Sequence, residues 1–148
     1  MAQDVAADRD AIRELIARYN QTGDADDVDG YVGCFAEDAR FEAPGFHHDG
    51  RAAIRAWKES HSIFGKTSFR MHVTGSTSIS FESADSARAR SNWIAVTDAG
   101  PDHAGRYHDH IVRTAGGWRF VHRQVDILWQ AGASQIGREH AGTVSESR

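Results

Sequence analysis

The stretch Phe69-Arg70-Met71-His72-Val73-Thr74 opens the strand-rich half of the chain, and this half decides the fold. From here the sequence predicts four strands, separated by short segments rich in Ser, Asp, Gly and Pro, at residues 69–81, 87–98, 105–115 and 118–129. Successive strands joined by short turns form an antiparallel meander. The second strand alternates small or aromatic residues with arginines, which predicts an inward face made of Ala87, Ala89, Ser91 and Trp93.

The first half of the chain predicts three helices. Residues 5–22 carry one apolar stripe and end at Gly23, and Asp24 then opens a second helix, whose N-terminus its carboxylate would complement. The second helix has its stripe at Val28, Tyr31, Val32 and Phe35. A short strand at 39–43 and a loop at 46–49 precede a third helix, which has Ile54, Trp57, His61 and Phe64 on one side. Helices followed by a meander predict an α+β fold, in which a curved antiparallel sheet is covered by three N-terminal helices and encloses a pocket.

Length, net charge and cysteine content are compatible with this fold. The 148 residues suit one domain, predicted at 5–130, followed by a tail at 131–148 that we expect to be loosely ordered. The net charge of −4, with scattered basic residues, argues against nucleic acid and membranes as partners. A single cysteine, Cys34, excludes an intramolecular disulfide, and the N-terminus shows no signal peptide. We therefore expect a cytoplasmic protein.

Nine histidines stand out as candidates for chemistry. His108 and His110 would share one face of a strand, but no cysteine or second histidine pair at zinc-site spacing accompanies them, so we predict no metal. His72 lies early in its strand, where an imidazole paired with a carboxylate would be a good general base. Taken alone, His72 also fits a packed histidine, and Asp24 also fits a helix N-cap.

Several short motifs resemble, in order and spacing, the SnoaL-like and scytalone dehydratase-like group of the nuclear-transport-factor-like cone-fold superfamily. The resemblance covers roughly residues 8–130 and is carried by Asp24 through Ala43, Gly50-Arg51-Ala52-Ala53-Ile54, Met71-His72-Val73-Thr74, Gly105-Arg106-Tyr107-x-Asp109, Gly117-Trp118-Arg119-Phe120-x-x-Arg123 and Asp126-Ile127-Leu128-Trp129. It implies a cone-shaped barrel with a pocket at its open end.

The resemblance also implies roles for residues. In that group, scytalone dehydratase, hexachlorocyclohexane dehydrochlorinase and the bile acid 7α-dehydratase use an Asp–His pair for proton abstraction, and this pair matches Asp24 and His72. Tyr19 matches a catalytic tyrosine and Arg123 an active-site arginine of the group. A second catalytic histidine would fall near Ser91 or Asn92, where the chain has none. Trp93, Tyr107 and Asp109 complete the predicted substrate-binding set, since we expect Tyr107 and Asp109 to face inward.

The leading hypothesis is a cofactor-independent lyase that eliminates water, or another leaving group, from a small cyclic or polyketide-like molecule. An isomerase or polyketide cyclase would use the same base, and a non-catalytic binding or assembly module of the same fold would not need the Asp–His pair. The alternation of Met71 and Val73 with His72 places both on the outer face of the sheet. Together with the resemblance, this predicts a homodimer or homotrimer.

Overall fold

The computed structural model describes residues 3–61 and 67–134. The helices are α1 Val5–Asp24, α2 Val28–Val32 and α3 Arg51–Ser60. The strands are β1 Phe35–Ala43, β2 Phe46–Asp49, β3 Arg70–Ser83, β4 Ser86–Thr97, β5 Gly100–Thr114 and β6 Gly117–Gln130. Phe64 of the predicted third helix and residues 135–148 of the predicted tail lie outside the described residues.

The six strands form a single sheet in the order β2-β1-β6-β5-β4-β3. Strands β3 to β6 make the predicted antiparallel meander. β1 instead runs parallel to β6, so the sheet is mixed, and β2 and β3 remain edge strands because the sheet does not close into a barrel. The predicted α+β fold, a curved sheet with helices packed on one side, is confirmed.

Between α1 and α3 two local predictions were wrong. Helix α2 ends at Val32, and Phe35 begins β1 instead of continuing the helical stripe. The backbone N–H of Phe120 donates to the carbonyl of Cys34 at 2.9 Å, so pairing with β6 draws the chain into the sheet at this point. The predicted loop at 46–49 is strand β2, which pairs with the end of β1.

The core lies between the helices and the inner face of the sheet. Ile12 and Ile16 of α1 are buried together with Phe35, Phe41 and Phe120 of the sheet. The predicted inward residues of β4 are all buried: Ala87, Ala89, Ser91 and Trp93. On the opposite face, Met71 and Val73 of β3 are exposed by 49% and 45%. None of the helices in the described ranges is long and apolar enough to cross a membrane.

Candidate active site

A cavity with a volume of about 190 Å³ lies between the helices and the inner face of the sheet. Much of its wall is apolar or aromatic and comes from Tyr31, Phe41, Phe46, Trp57, Trp93, Val125 and Ile127. Polar side chains enter the wall from α1, α3, β3, β5 and the segments that follow α3, and these are Tyr19, Asn20, Lys58, His61, Thr67, Arg70, His72, His103 and Tyr107. A largely apolar enclosure with a few polar groups is typical of small-molecule sites.

Asp24 and His72 are in contact at the edge of this cavity. The Nδ1 of His72 lies 2.6 Å from Oδ1 of Asp24, and the backbone N–H of His72 donates to Oδ2 at 2.7 Å. Because an ionised carboxylate only accepts hydrogen bonds, Nδ1 carries the hydrogen and Nε2 is left with its lone pair. The His72 side chain is 20% exposed and lines the cavity, so its imidazole can meet a ligand there.

The sequence predicted that Asp24 opens the second helix, but the structure places it elsewhere. It is the last residue of α1, and the N-cap of α2 is Asp27. A helix C-terminus disfavours a carboxylate, so the helix dipole cannot stabilise Asp24 here. Burial would raise the pKa of Asp24, but the hydrogen bonds from His72 and the positive charge of Arg70, 3.3 Å away, outweigh burial and lower it.

Two tyrosine hydroxyls meet in the cavity wall. The hydroxyl of Tyr31 donates to that of Tyr19 at 3.0 Å, and their rings lie 4.8 Å apart. Burial raises the pKa of both phenols, so both stay protonated. Two hydroxyls that share one hydrogen bond keep one hydrogen to donate elsewhere. The pair is therefore equipped to donate to an oxygen of a ligand in the cavity.

Tyr107 is held by a chain of hydrogen bonds instead. Its hydroxyl donates to Oδ1 of Asn20 at 2.9 Å, and Nδ2 of Asn20 donates to Thr74 at 2.6 Å. The ring of Trp93 stacks on that of Tyr107, with centroids 5.4 Å apart, and lies 5.8 Å from the His72 ring. The indole N–H of Trp93 is buried without a hydrogen-bond partner among the described residues. A ligand in the cavity could supply the missing acceptor.

Asp109 and Arg123 were predicted to contact the substrate, but the structure places both outside the residues that line the cavity. Arg123 is fully buried and makes two hydrogen bonds of 2.7 Å to the Asp109 carboxylate. Burial would lower the pKa of Arg123, but Asp109 raises it, so the guanidinium stays charged. Its central carbon lies 4.1 Å from the ring centre of Tyr19 and 4.0 Å from that of Tyr107. The pair therefore supports two cavity tyrosines from behind.

His103 is a cavity residue that the sequence analysis missed. Its ring lies 6.0 Å from that of His72 and 5.2 Å from that of Trp93. The Nδ1 of His103 is 2.8 Å from Oδ2 of Asp102, which repeats the arrangement of Asp24 and His72. Burial lowers the pKa of His103 in spite of Asp102, so its imidazole is neutral near pH 7. The adjacent Asp-His dipeptide was the available signal, but it lies between the predicted strands 87–98 and 105–115, where the sequence predicted a turn.

His108 and His110, the metal-ligand pair considered from the sequence, bond to nearby side chains. Nε2 of His108 lies 3.0 Å from Asp126, and Nε2 of His110 lies 3.0 Å from the Ser86 hydroxyl. Across residues 3–61 and 67–134, no group of three or more His, Cys, Asp or Glu side chains is arranged to hold a metal ion.

Solved structures with this fold include three similar proteins. A protein named as a candidate scytalone dehydratase from Novosphingobium aromaticivorans has 25% identity and a TM-score of 0.75, covering 85% of this chain and 87% of its own. ActVI-ORFA from Streptomyces coelicolor has 28% identity and a TM-score of 0.70, covering 80% of this chain and 96% of its own. LinA has 17% identity and a TM-score of 0.74, covering 86% of this chain and 92% of its own. At this identity the similarity indicates a shared fold and nothing about function.

None of the curated protein sequences is significantly similar to the chain. The family model of the SnoaL-like domain matches residues 4–124, which include α1, the whole of β3 and β4 and most of β6. This match spans Asp24, His72, His103 and the tyrosines of the cavity. The chain therefore belongs to the family of SnoaL-like domains.

Proposed function

We propose that the protein is a cofactor-independent lyase that removes water, or a comparable leaving group, from a small cyclic or polyketide-like molecule. The observation that carries the proposal is the contact between Asp24 and the Nδ1 of His72 at the edge of a largely apolar cavity. Membership of the SnoaL-like family, and structural likeness to a protein named as a candidate scytalone dehydratase, support an enzyme that modifies small molecules.

In this scheme His72 is the base. Asp24 holds the imidazole with Nε2 free, and Nε2 removes a proton from the carbon next to a carbonyl group of the substrate. The resulting imidazolium is stabilised by the Asp24 carboxylate and returns the proton to the departing hydroxyl group as water forms. A positioned base of this type contributes roughly 10²–10⁴-fold to the rate.

The negative charge that develops on the carbonyl oxygen needs hydrogen-bond donors. The Tyr19–Tyr31 pair keeps one hydroxyl hydrogen, and the Trp93 indole N–H has no partner among the described residues. The charged Arg123 behind the Tyr19 ring makes that phenol a better donor. These groups supply the donors that an enolate intermediate requires.

Proton removal by His72 can also start an isomerisation or a cyclisation, because the substrate decides how the enolate reacts next. The experiment therefore follows the proton as well as the product. A panel of cyclic β-hydroxy ketones is incubated with the protein in D₂O; mass spectrometry detects loss of water and NMR detects deuterium at the carbon next to the carbonyl.

We expect elimination with at least one member of the panel, and a loss of roughly 10²–10⁴-fold in kcat for His72→Gln. His108→Gln is the matched control, because His108 pairs with Asp126 and does not line the cavity. Circular dichroism checks that each variant is folded. Deuterium exchange without loss of water would favour the isomerase or cyclase. Unchanged turnover in His72→Gln, or no exchange with any compound, would refute catalysis by this pair.

A further inference from the structure

Around the cavity, basic side chains line the wall and their aspartate partners lie outside it. Four aspartates each pair with a basic side chain: Asp24 with His72, Asp26 with Lys58, Asp102 with His103 and Asp109 with Arg123. In the first three pairs the basic residue lines the cavity and the aspartate does not. No Asp or Glu is among the described residues that line it, whereas Lys58 and Arg70 are. The charged side chains in this wall, Lys58 and Arg70, are therefore both positive, while the aspartates lie behind it.

Lys58 is the unusual member of this wall. Its side chain is only 4% exposed, although lysine is almost never buried without a specific partner. It comes from α3 and contacts the carboxylate of Asp26, whose side chain is 9% exposed. Asp26 has a positive φ of 53°, a conformation that costs free energy in a residue other than glycine. The backbone thus tolerates strain at the residue that meets the Lys58 ammonium.

The ammonium of Lys58 has donors to spare. It carries three N–H groups, of which the contact with Asp26 uses one. The nitrogen lies 5.8 Å from the ring centre of Tyr31, within the range of a cation–π contact. Lys58 lines the largely apolar cavity, and a charge-assisted hydrogen bond from its remaining donors to a ligand there is strong.

We propose that Lys58 binds an anionic group, a carboxylate or phenolate, of the molecule that occupies the cavity. The ligand is then a small aromatic or alicyclic acid, whose ring packs against Phe46 and Trp57 while its anionic oxygen accepts from the Lys58 ammonium. The contact with Asp26 lowers the cost of burying the Lys58 ammonium when the cavity is empty. Lys58 would thereby define the class of ligand for the proposed function. The proposal rests on that function only in taking the cavity as the substrate site.

Binding tests the proposal without any turnover. The probes are two matched pairs of equal shape, benzoate with benzamide and 2-naphthoate with 2-naphthamide, measured by titration calorimetry and NMR. We expect each carboxylate to bind at least about tenfold more tightly than its amide. Lys58→Met should remove this preference, and the affinity for the amides reports whether the cavity is intact.

Asp26→Asn is the companion variant, because it keeps the Lys58 ammonium and removes its competing carboxylate. We expect it to strengthen carboxylate binding and to leave amide binding unchanged. Equal affinities for carboxylate and amide, no carboxylate binding at millimolar concentration, or an unchanged preference in Lys58→Met would each overturn the proposal. In the last case the Lys58–Asp26 pair would serve the fold alone.

The two proposals fail separately. His72→Gln should lose turnover while retaining the carboxylate preference, since Lys58 is unchanged in that variant. Loss of the preference with elimination intact would reject the anionic ligand and leave the lyase. The preference without any proton exchange would reject the lyase and leave a cavity for organic acids.

Discussion

At the scale of single residues, the site depends on Asp24, which accepts two hydrogen bonds from His72 with separate oxygens. One bond comes from the ring and fixes its orientation, and the other comes from the backbone and fixes the carboxylate to β3. Arg70 adds a positive charge on the same side and donates from Nη2 to the carbonyl of Gly23 at 2.9 Å. Asp24 therefore joins the end of α1 to β3 as well as orienting the imidazole.

This double role predicts a specific dependence of stability on pH. The pKa of Asp24 in the folded protein lies below its ordinary value, which is about 3.9 in the unfolded chain. The ionised carboxylate therefore stabilises the fold above about pH 4, and this contribution is lost as the pH falls through the folded pKa. Urea unfolding between about pH 6 and pH 3 should show a steeper loss of stability in the wild type than in Asp24→Asn.

Asp8 provides the internal reference for that comparison. Its pKa is also lowered, by hydrogen bonds from Arg113 and Trp118, and it is present in both proteins. A loss of stability that the wild type and Asp24→Asn share comes from Asp8 and other acids. The difference between their two curves therefore measures the contribution of Asp24. Parallel curves for the wild type and Asp24→Asn would contradict the stabilising role of the carboxylate.

The sequence allowed some of these residues to be predicted and hid others for physical reasons. The Asp24–His72 contact was predicted because the family resemblance linked two distant motifs, whereas local sequence alone also fitted an N-cap and a packed histidine. Lys58 was missed because a lysine on an amphipathic helix is ordinarily solvated. Asp109 was expected at the substrate from the alternation of its strand, and Arg123 from the family resemblance. Neither signal shows how deeply a side chain is buried.

At the scale of elements, the junction of β5 and β6 shows how backbone contacts shape the cavity. The register between these strands shifts so that Gly105 pairs with Ile127 and Ala104 pairs with Trp129, leaving Leu128 as an extra residue. A Cβ atom on Gly105 would lie 1.7 Å from the carbonyl oxygen of Asp126, so only glycine fits. The bulge directs Ile127 into the cavity and leaves Trp129 47% exposed.

Gly105→Ala should therefore be destabilising by about 1–3 kcal/mol or more, because the backbone of β6 must move to admit the methyl group. Gly75→Ala in β3 is the matched control, since a Cβ there would meet its nearest neighbour, the Asn92 carbonyl oxygen, at an ordinary 3.7 Å. Urea denaturation of both variants makes the comparison. Equal losses of stability in the two would show that the close approach is not the cause.

The elements themselves were predicted unevenly. The meander was predicted well because alternation and turn residues are local signals, and all four strands exist within a few residues of the expected bounds, except that β5 begins at Gly100. That early start brings His103 into the sheet. β1 was predicted too short because its pairing partner, β6, lies about eighty residues away, and no local pattern shows a parallel partner.

At the scale of the whole molecule, the sheet has one face covered by helices and one face open. The open face carries a continuous apolar strip across four strands. Met71 and Val73 of β3 pair with Val96 and Ile94 of β4, Ile94 pairs with Ala104 of β5, and Ala104 pairs with Trp129 of β6. Met71, Val73 and Trp129 are each exposed by 45–49%. Exposed apolar side chains that adjoin one another are typical of an interaction surface.

We expect a second copy of the chain to cover this strip, as the predicted homo-oligomer requires. Val73→Lys places a charge within the strip and should shift the protein towards monomer in sedimentation velocity at micromolar concentration. Ser80→Lys, an exposed position of the same edge strand beyond the strip, is the control and should leave the mass unchanged. Because Lys58 of α3 lies on the helix-covered side of the sheet, the monomeric variant should keep the carboxylate preference of the cavity. A wild-type protein that sediments as a monomer would refute this use of the face.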